Sequence, residues 1–421
     1  MPRTSVQPRP PAGRHARIPD FGPVRGLYVP RAADAAAFAM STYGIPLLVL
    51  AVTGSAALTG LAFVCEWVPR LSAFALAGAA VDRIGSTRVM RIASLARAAV
   101  ALGAAAVLPA AGTGTVAVVT VMALAAATGV LCEFCYIAGE SAGGAASRDA
   151  GDAGHRVQAA LLGIDHCSTL AGPALAGFLL EYVGATGMLT TIAACSVLCA
   201  VLAPRQRPRW PREAPVPVVQ GMRTGWSTLR SLPALGWLCV GLLLSNMAIG
   251  LVQAAGPVLV VQHFGGTSSQ VGLLWSAAAL ASLAMVTLAR FAIDRAGLWP
   301  VGAAAAALAS ATCLAVSAAP TYLVFLVLVA LLMAGEAGMT VVLRTLRARL
   351  IPAEVFGSTL SLIILLLLAP FPVAGALVAL TPPDLLGHVI TACAALQTLG
   401  LALSFAKLRT HPAVQRPATT P

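Results

Sequence analysis

Charge is what this chain has least of. Asp, Glu, Lys and Arg make up only 10% of its 421 residues, where a water-soluble domain carries roughly 25%. A polar shell for a protein this long cannot be assembled from that supply, so a soluble enzyme is excluded. No Gly-Lys-Ser/Thr loop is present to cradle a phosphate, which removes ATP as an energy source. The six histidines, His15, His155, His166, His263, His388 and His411, never share a helical turn. The nine cysteines, Cys65, Cys132, Cys135, Cys167, Cys195, Cys199, Cys239, Cys313 and Cys393, fall inside or at the edges of apolar runs. They read as small buried residues rather than a disulfide framework. Residues 1–30 lack the apolar core of a signal peptide, so the first apolar block is expected to be retained.

What the chain has is hydrophobic residues, 58% of the total. They come in unbroken blocks, which points to helices and away from a membrane barrel, whose strands alternate. At about 20 apolar residues per span, the blocks number twelve. They cover about 33–54, 57–81, 90–110, 114–140, 157–181, 187–203, 235–261, 269–291, 300–318, 321–343, 356–380 and 385–406. The predicted fold is an all-α membrane protein of twelve transmembrane helices in two pseudo-symmetric six-helix bundles. Its parts are a cytoplasmic tail (1–32), an N-terminal bundle (33–203), an arginine-rich cytoplasmic linker (204–234), a C-terminal bundle (235–406) and a second tail (407–421).

The net charge of +12 is read through its location. The tails, the even-to-odd loops and the span ends beside them hold every Lys and Arg except Arg70 and Arg97. The six opposite loops hold none. Positive charge marks the cytoplasmic side, so both termini are predicted there. Arg97, about two turns into the third block, is expected to snorkel to that surface. No basic face interleaved with aromatics exists, which argues against nucleic acid. Arginine in place of lysine in an alanine-rich chain suggests a GC-rich bacterial genome, so the expected location is the inner membrane.

The chain also repeats itself. Asp82-Arg83-Ile84-Gly85 returns as Asp294-Arg295-Ala296-Gly297, 212 residues on, and the same shift maps Gly60 onto Gly272. Two parallel halves follow, a plan whose binding site lies between them near the bilayer midplane. The stretch from Gly78 through Asp82, Arg83 and Gly85 to Arg88 resembles the signature of the major facilitator superfamily between its second and third helices. The degenerate second copy sits where that family has one. The resemblance implies a gate at these residues, in which Asp at a helix end meets the N-terminus of a neighbouring helix and Gly78 lets that helix approach. Pro46 through Gly54-Ser55, with Val68-Pro69-Arg70, resembles the permease branch that includes the enterobactin exporter. Gly172, Pro173 and Gly177 resemble the helix-packing motif of antiporters, with Ser168 and Ala176 where that motif has glycine.

An ionised group at the centre of a membrane helix costs about 2.5–3.5 kcal/mol on insertion scales, so intramembrane acids are default site candidates. These are Glu66, Glu133, Asp165 and Glu336, with Asp34 nearer a helix end. Glu133 and Glu336 lie at matching depth on the fourth and tenth helices, which line the cavity in the resembled family, and are candidates for proton coupling or substrate binding. Their competing role is packing, satisfied by neighbouring Ser, Thr or Arg. Glu66 and Arg70, four apart, share a helix face and are expected to neutralise each other; Arg70 turned to the cavity would instead favour an anionic substrate. Asp165 and His166 point about 100° apart and cannot serve one partner.

Two motifs are set aside. Gly139-Glu140-Ser141-Ala142-Gly143 spells a nucleophile elbow, which needs a strand before it and a sheet around it. Cys132-Glu133-Phe134-Cys135 offers soft ligands without a complete set, so no metal or cofactor is expected. The resulting reading is a monomeric, non-enzymatic secondary transporter in the lipid bilayer, exporting a small drug-like or siderophore-like molecule against a proton. Proton-coupled nutrient uptake and a non-transporting sensor are the alternatives.

Overall fold

In a computed structural model, residues 24–112, 114–150, 154–203, 218–352 and 355–409 are described, and every regular element among them is helical. The helices are α1 (Val29–Thr53), α2 (Ala56–Ile84), α3 (Ser86–Ala111), α4 (Thr115–Asp149), α5 (Gly154–Tyr182), α6 (Gly184–Leu202), α7 (Val218–Ser231), α8 (Pro233–Val258), α9 (Ser268–Ala296), α10 (Leu298–Val316), α11 (Tyr322–Leu350), α12 (Phe356–Leu368), α13 (Pro370–Leu380) and α14 (Leu386–Leu408). Hydrocarbon offers no partner to a backbone N–H or C=O, so only elements that satisfy their own backbone can cross it. Among the described residues, eleven helices are long and apolar enough to do so, with α12 and α13 counting as one span, Phe356–Leu380. The bend inside that span falls at Pro370, which has no N–H to donate back. The twelfth long helix, α5, is less apolar than these because Asp165-His166-Cys167-Ser168-Thr169 interrupts it. At 29 residues it is still about 43 Å long.

Several helices outrun their apolar blocks. α2 continues to Ile84, α4 to Asp149 and α11 to Leu350, past the expected ends at 81, 140 and 343. A helix backbone needs no apolar side chains once it leaves the hydrocarbon, and the Ala- and Arg-bearing turns there have good helix propensity. The linker also holds structure: residues 204–217 lie outside the described ones, but α7 follows and leads through Leu232 into α8. The tail residues 1–23 and 410–421 lie outside them too.

The repeated Asp-Arg-X-Gly element has one structural job in both halves. Gly85 (φ 86, ψ 147) joins α2 to α3, and Gly297 (φ 88, ψ 170) joins α9 to α10. That backbone region is essentially open to glycine alone, which explains why glycine recurs there.

Helices α1–α6 pack among themselves, as do α8–α14, and the two sets meet along α2 with α13 and α5 with α9. These seams are glycine-lined. Gly60 stands against the backbone of Gly375 and Ala379, while Gly272 stands against Pro173 and Ala174, and Gly177 against Ser268. Gly172 in turn faces Ala39 of α1, so the Gly172-Pro173-Gly177 stretch packs in two directions. All the seam contacts lie toward one end of the molecule. Gln262 Nε2 donates to the Gly54 carbonyl at 2.9 Å and the Ser269 N–H to Glu181 Oε2 at 2.8 Å, closing the same end. At the other end, where α1 begins and α14 finishes, Asp82, Arg83, Arg88, Asp294 and Arg295 are all exposed. We call this the terminal face. Among the described residues, the glycine contacts and hydrogen bonds between the two sets close the opposite face, while the Asp-Arg-X-Gly turns at the terminal face are exposed.

Because a Cβ at Gly60 meets backbone rather than a movable side chain, Gly60→Val should loosen the sealed end. With the nine native cysteines replaced, a cysteine at the buried Val378 should react with a membrane-impermeant maleimide about tenfold faster in Gly60→Val, as a population shift of about 1.4 kcal/mol requires. Equal rates would show that the seam does not depend on this contact.

Candidate substrate and coupling site

Each charge buried in a bilayer must find its partner on a neighbouring helix, and three arginines do so in the first half. Arg97 of α3 is fully buried. Its Nη2 donates to Asp34 Oδ1 of α1 at 2.7 Å, its Nε to Ser196 Oγ of α6 at 2.8 Å, and its Nη1 to Cys132 Sγ of α4 at 3.7 Å. The expected snorkelling does not occur, because the carboxylate and hydroxyl around it supply inside the bundle the bonds that water would have offered. Four helices are thereby tied through one guanidinium.

Arg70 of α2 carries the second knot. Its Nε donates to Glu133 Oε2 of α4 at 3.0 Å, while Glu66 Oε1 is 3.9 Å from its Nη1. The expected pairing along the helix is therefore the longer contact, and Glu133 across the helix interface takes the direct bond. The guanidinium lies 4.6 Å from the Trp67 ring centroid and 5.0 Å from that of Phe38, within cation–π range. Gly129 lets α4 close on the Glu66 backbone. Glu66 Oε2 and Trp67 Nε1 are buried with no hydrogen-bond partner among the described residues. Trp67 stacks at 4.3 Å on Phe371 of α13, and Tyr43 of α1 meets Trp275 of α9 at 5.4 Å. These aromatic pairs bridge the two halves.

The third knot lies nearer the terminal face. Arg31 at the start of α1 grips Asp165 of α5 with two bonds, Nε to Oδ1 at 2.8 Å and Nη2 to Oδ2 at 2.7 Å, and reaches Glu140 Oε1 of α4 at 2.8 Å. Asp165 thus turns to α1 and is not free to face a cavity alone.

The second half is built differently. Glu336 of α11 is buried and accepts a hydrogen bond from Ser245 Oγ of α8. Among the described residues no Lys, Arg or His lies within ion-pair distance of it. Gln397 of α14 is fully buried with neither amide atom partnered among those residues. Arg344 and Arg347, one turn apart on α11, both lie within electrostatic reach of Tyr136 of α4.

The gate residues take no part in such contacts here. Asp82 and Asp294 make no hydrogen bond or ion pair among the described residues, and a Cβ on Gly78 would meet nothing within 4 Å. The expected close helix approach at Gly78 is absent among the described residues. Cys132, Glu133 and Cys135 diverge around α4, toward Arg97, Arg70 and Ser94 respectively, and no group of three or more His, Cys, Asp or Glu among the described residues could hold a metal ion. Cys167 is exposed, against the expectation that all the cysteines are buried. Ser141 sits within α4 with no strand among the described residues, unlike a nucleophile elbow.

Sequence reasoning missed Arg31, Glu140, Ser245 and the bridging aromatics. Arg31 had looked like one more topology charge at a helix start. The available signal was a missing balance: Asp165 inside a span needs a cation, and α5 itself offers none nearby.

Two helical bundles, sealed together at one face and enclosing buried ion pairs, define a polytopic membrane transporter. The chain belongs to the Major Facilitator Superfamily, whose family profile matches residues 32–369. A bacterial homologue of the iron transporter ferroportin in its inward-facing state is similar in structure, with TM-score 0.73 at 16% identity, covering 91% of this chain and 98% of that one. A mutant of the nucleoside transporter NupG gives 0.70 at 11% identity over 90% and 99%. A D-xylose–proton symporter gives 0.65 at 14% identity over 89% and 96%. At these identities the likeness shows the fold. No curated protein matches the chain.

Removing one member of a buried ion pair strands the other, at about 3–5 kcal/mol. Arg97→Leu should accordingly lower the thermal unfolding midpoint of the detergent-solubilised protein sharply, and adding Asp34→Leu should restore part of the loss. A double variant no better than the single one would place the importance of Arg97 in its bonds to Ser196 and Cys132.

Proposed function

We propose that this transporter is a secondary active exporter, moving a small organic molecule out of the cell by alternating access in exchange for a proton. The observation that carries this reading is the contrast between the halves: paired charges brace the first, while the second holds a buried carboxyl, Glu336, whose partner is a hydroxyl. A carboxyl in such a place is neutral when it holds a proton and costly when it does not. Glu336 is therefore our coupling group. Glu66, Arg70 and Glu133, flanked by Trp67 and Phe38, form the substrate-facing set, while Asp34 and Asp165 serve as braces.

In the opposite state, Gly78, Asp82, Arg83, Gly85, Arg88, Asp294, Arg295 and Gly297 would close the terminal face, whose cytoplasmic side in a bacterial inner membrane is supported by the charge asymmetry and the arginine-rich composition. The Gly172-Pro173-Gly177 seam, with its resemblance to the antiporter motif, supports export. The aromatic walls suit an organic cargo, drug-like or siderophore-like. The protein would act as a monomer, without nucleic acid. Import is the second reading, since a D-xylose–proton symporter shares the fold.

The test is a solute screen on inside-out vesicles with a pH-sensitive dye. An exported solute should release an imposed proton gradient. Glu336→Gln should abolish that release while leaving exchange of labelled for unlabelled solute intact, and Glu133→Gln should raise the half-saturating concentration about tenfold, as loss of one charge-assisted bond implies. Unchanged proton release in Glu336→Gln would remove its coupling role. Solutes that leave the vesicle lumen together with protons would favour import.

A further inference from the structure

Helix α7 is not needed by the transport scheme, and its surface has a division of its own. One side packs on the protein: Gly225 stands against the Ser358 carbonyl and Leu362 of α12, and Leu229 is buried. The other side presents Met222 (43% exposed) and Trp226 (47% exposed) beside the exposed Arg223, Ser227 and Arg230. Arg230 lies 5.7 Å from the Trp226 ring centroid. α7 contains no acidic residue, and neither arginine forms an ion pair among the described residues. Among the described residues, two cations without an acidic partner and two large apolar side chains thus share one exposed face.

Its height is fixed from both sides. α7 runs through Leu232 into α8, a membrane span, and rests on the first two turns of α12, another. That is the level of the lipid headgroups. Tryptophan is favoured there because its ring is apolar and its N–H polar, and guanidinium groups match phosphate oxygens. We propose that this face of α7 binds the headgroups of anionic phospholipids, with Arg223 and Arg230 on the phosphate and Met222 and Trp226 among the upper acyl carbons. A free phosphate would satisfy only the arginines, whereas a lipid meets both chemistries at once. The site bears on the moving parts as well: α12 continues through the bend at Pro370 into α13, whose Gly375 abuts Gly60 at the sealed end.

Tryptophan quenching by brominated lipid tests this directly in the intact protein. The Trp226 signal is the difference between wild type and Trp226→Phe, reconstituted in vesicles containing brominated phosphatidylglycerol or brominated phosphatidylcholine at equal mole fraction. It should be quenched preferentially by phosphatidylglycerol, and Arg223→Gln and Arg230→Gln should each reduce the preference about fivefold, the usual worth of one basic side chain near an anionic leaflet. Equal quenching by the two lipids, or no quenching of Trp226 by either, would overturn the proposal. Relief of the quenching by millimolar glycerol phosphate would also overturn it, assigning the site to a soluble phosphate.

Discussion

A guanidinium buried among membrane helices must have its charge and its donors satisfied by other helices, and the first half of this transporter is organised around three such groups. Arg97 joins α1, α3, α4 and α6; Arg70 joins α2 to α4; Arg31 joins α1 to α4 and α5. The lipid supplies no hydrophobic force to press helices together, so association rests on packing and on polar bonds of this kind.

The second half lacks the brace. In the internal repeat, Ala309 stands where Arg97 stands in the first half, and the buried polar groups of the described residues there, Glu336, Ser245 and Gln397 among them, include no arginine. One half is held by ion pairs and the other by small residues and a lone acid. The pseudo-symmetric pair thus joins a half cross-linked by ion pairs to one whose buried carboxyl has a hydroxyl for its partner. The seam between them uses glycine on both sides, so backbones touch and the contact can be remade without rotamer changes.

Much of the architecture was legible before any coordinates. Unbroken apolar blocks gave the spans, because their length is set by the bilayer, and the Asp82/Asp294 repeat marked two turns that share one glycine conformation. Helix ends were less legible, since a backbone leaving the hydrocarbon need not stop. The site was legible only as a roster. Glu66, Arg70, Glu133, Asp165, Asp34 and Glu336 stood out as charges in the wrong solvent, but their partners depend on helix rotation. Period arguments along one helix predicted Glu66 with Arg70, whereas the closer bond runs from Arg70 across to α4. Arg97 was misjudged for a related reason: a long side chain two turns into an apolar block can reach either the surface or a partner, and Asp34 lay on a different helix. The bridging aromatics carried no signal in the sequence, because an aromatic residue in a membrane helix is ordinary until its neighbour is known.

The central claim is that the two bundles rock about the glycine seam, opening the terminal face when the opposite one is sealed. Pulsed electron-resonance distances in vesicles, between spin labels at Arg83 and Arg295 for the terminal face and at Gly54 and Thr267 for the opposite face, test it most directly. The account predicts two populations for each pair, with the terminal distance shortening as the opposite one lengthens when pH or solute is varied. A single unchanging distance at both faces, or distances that lengthen together, would contradict it.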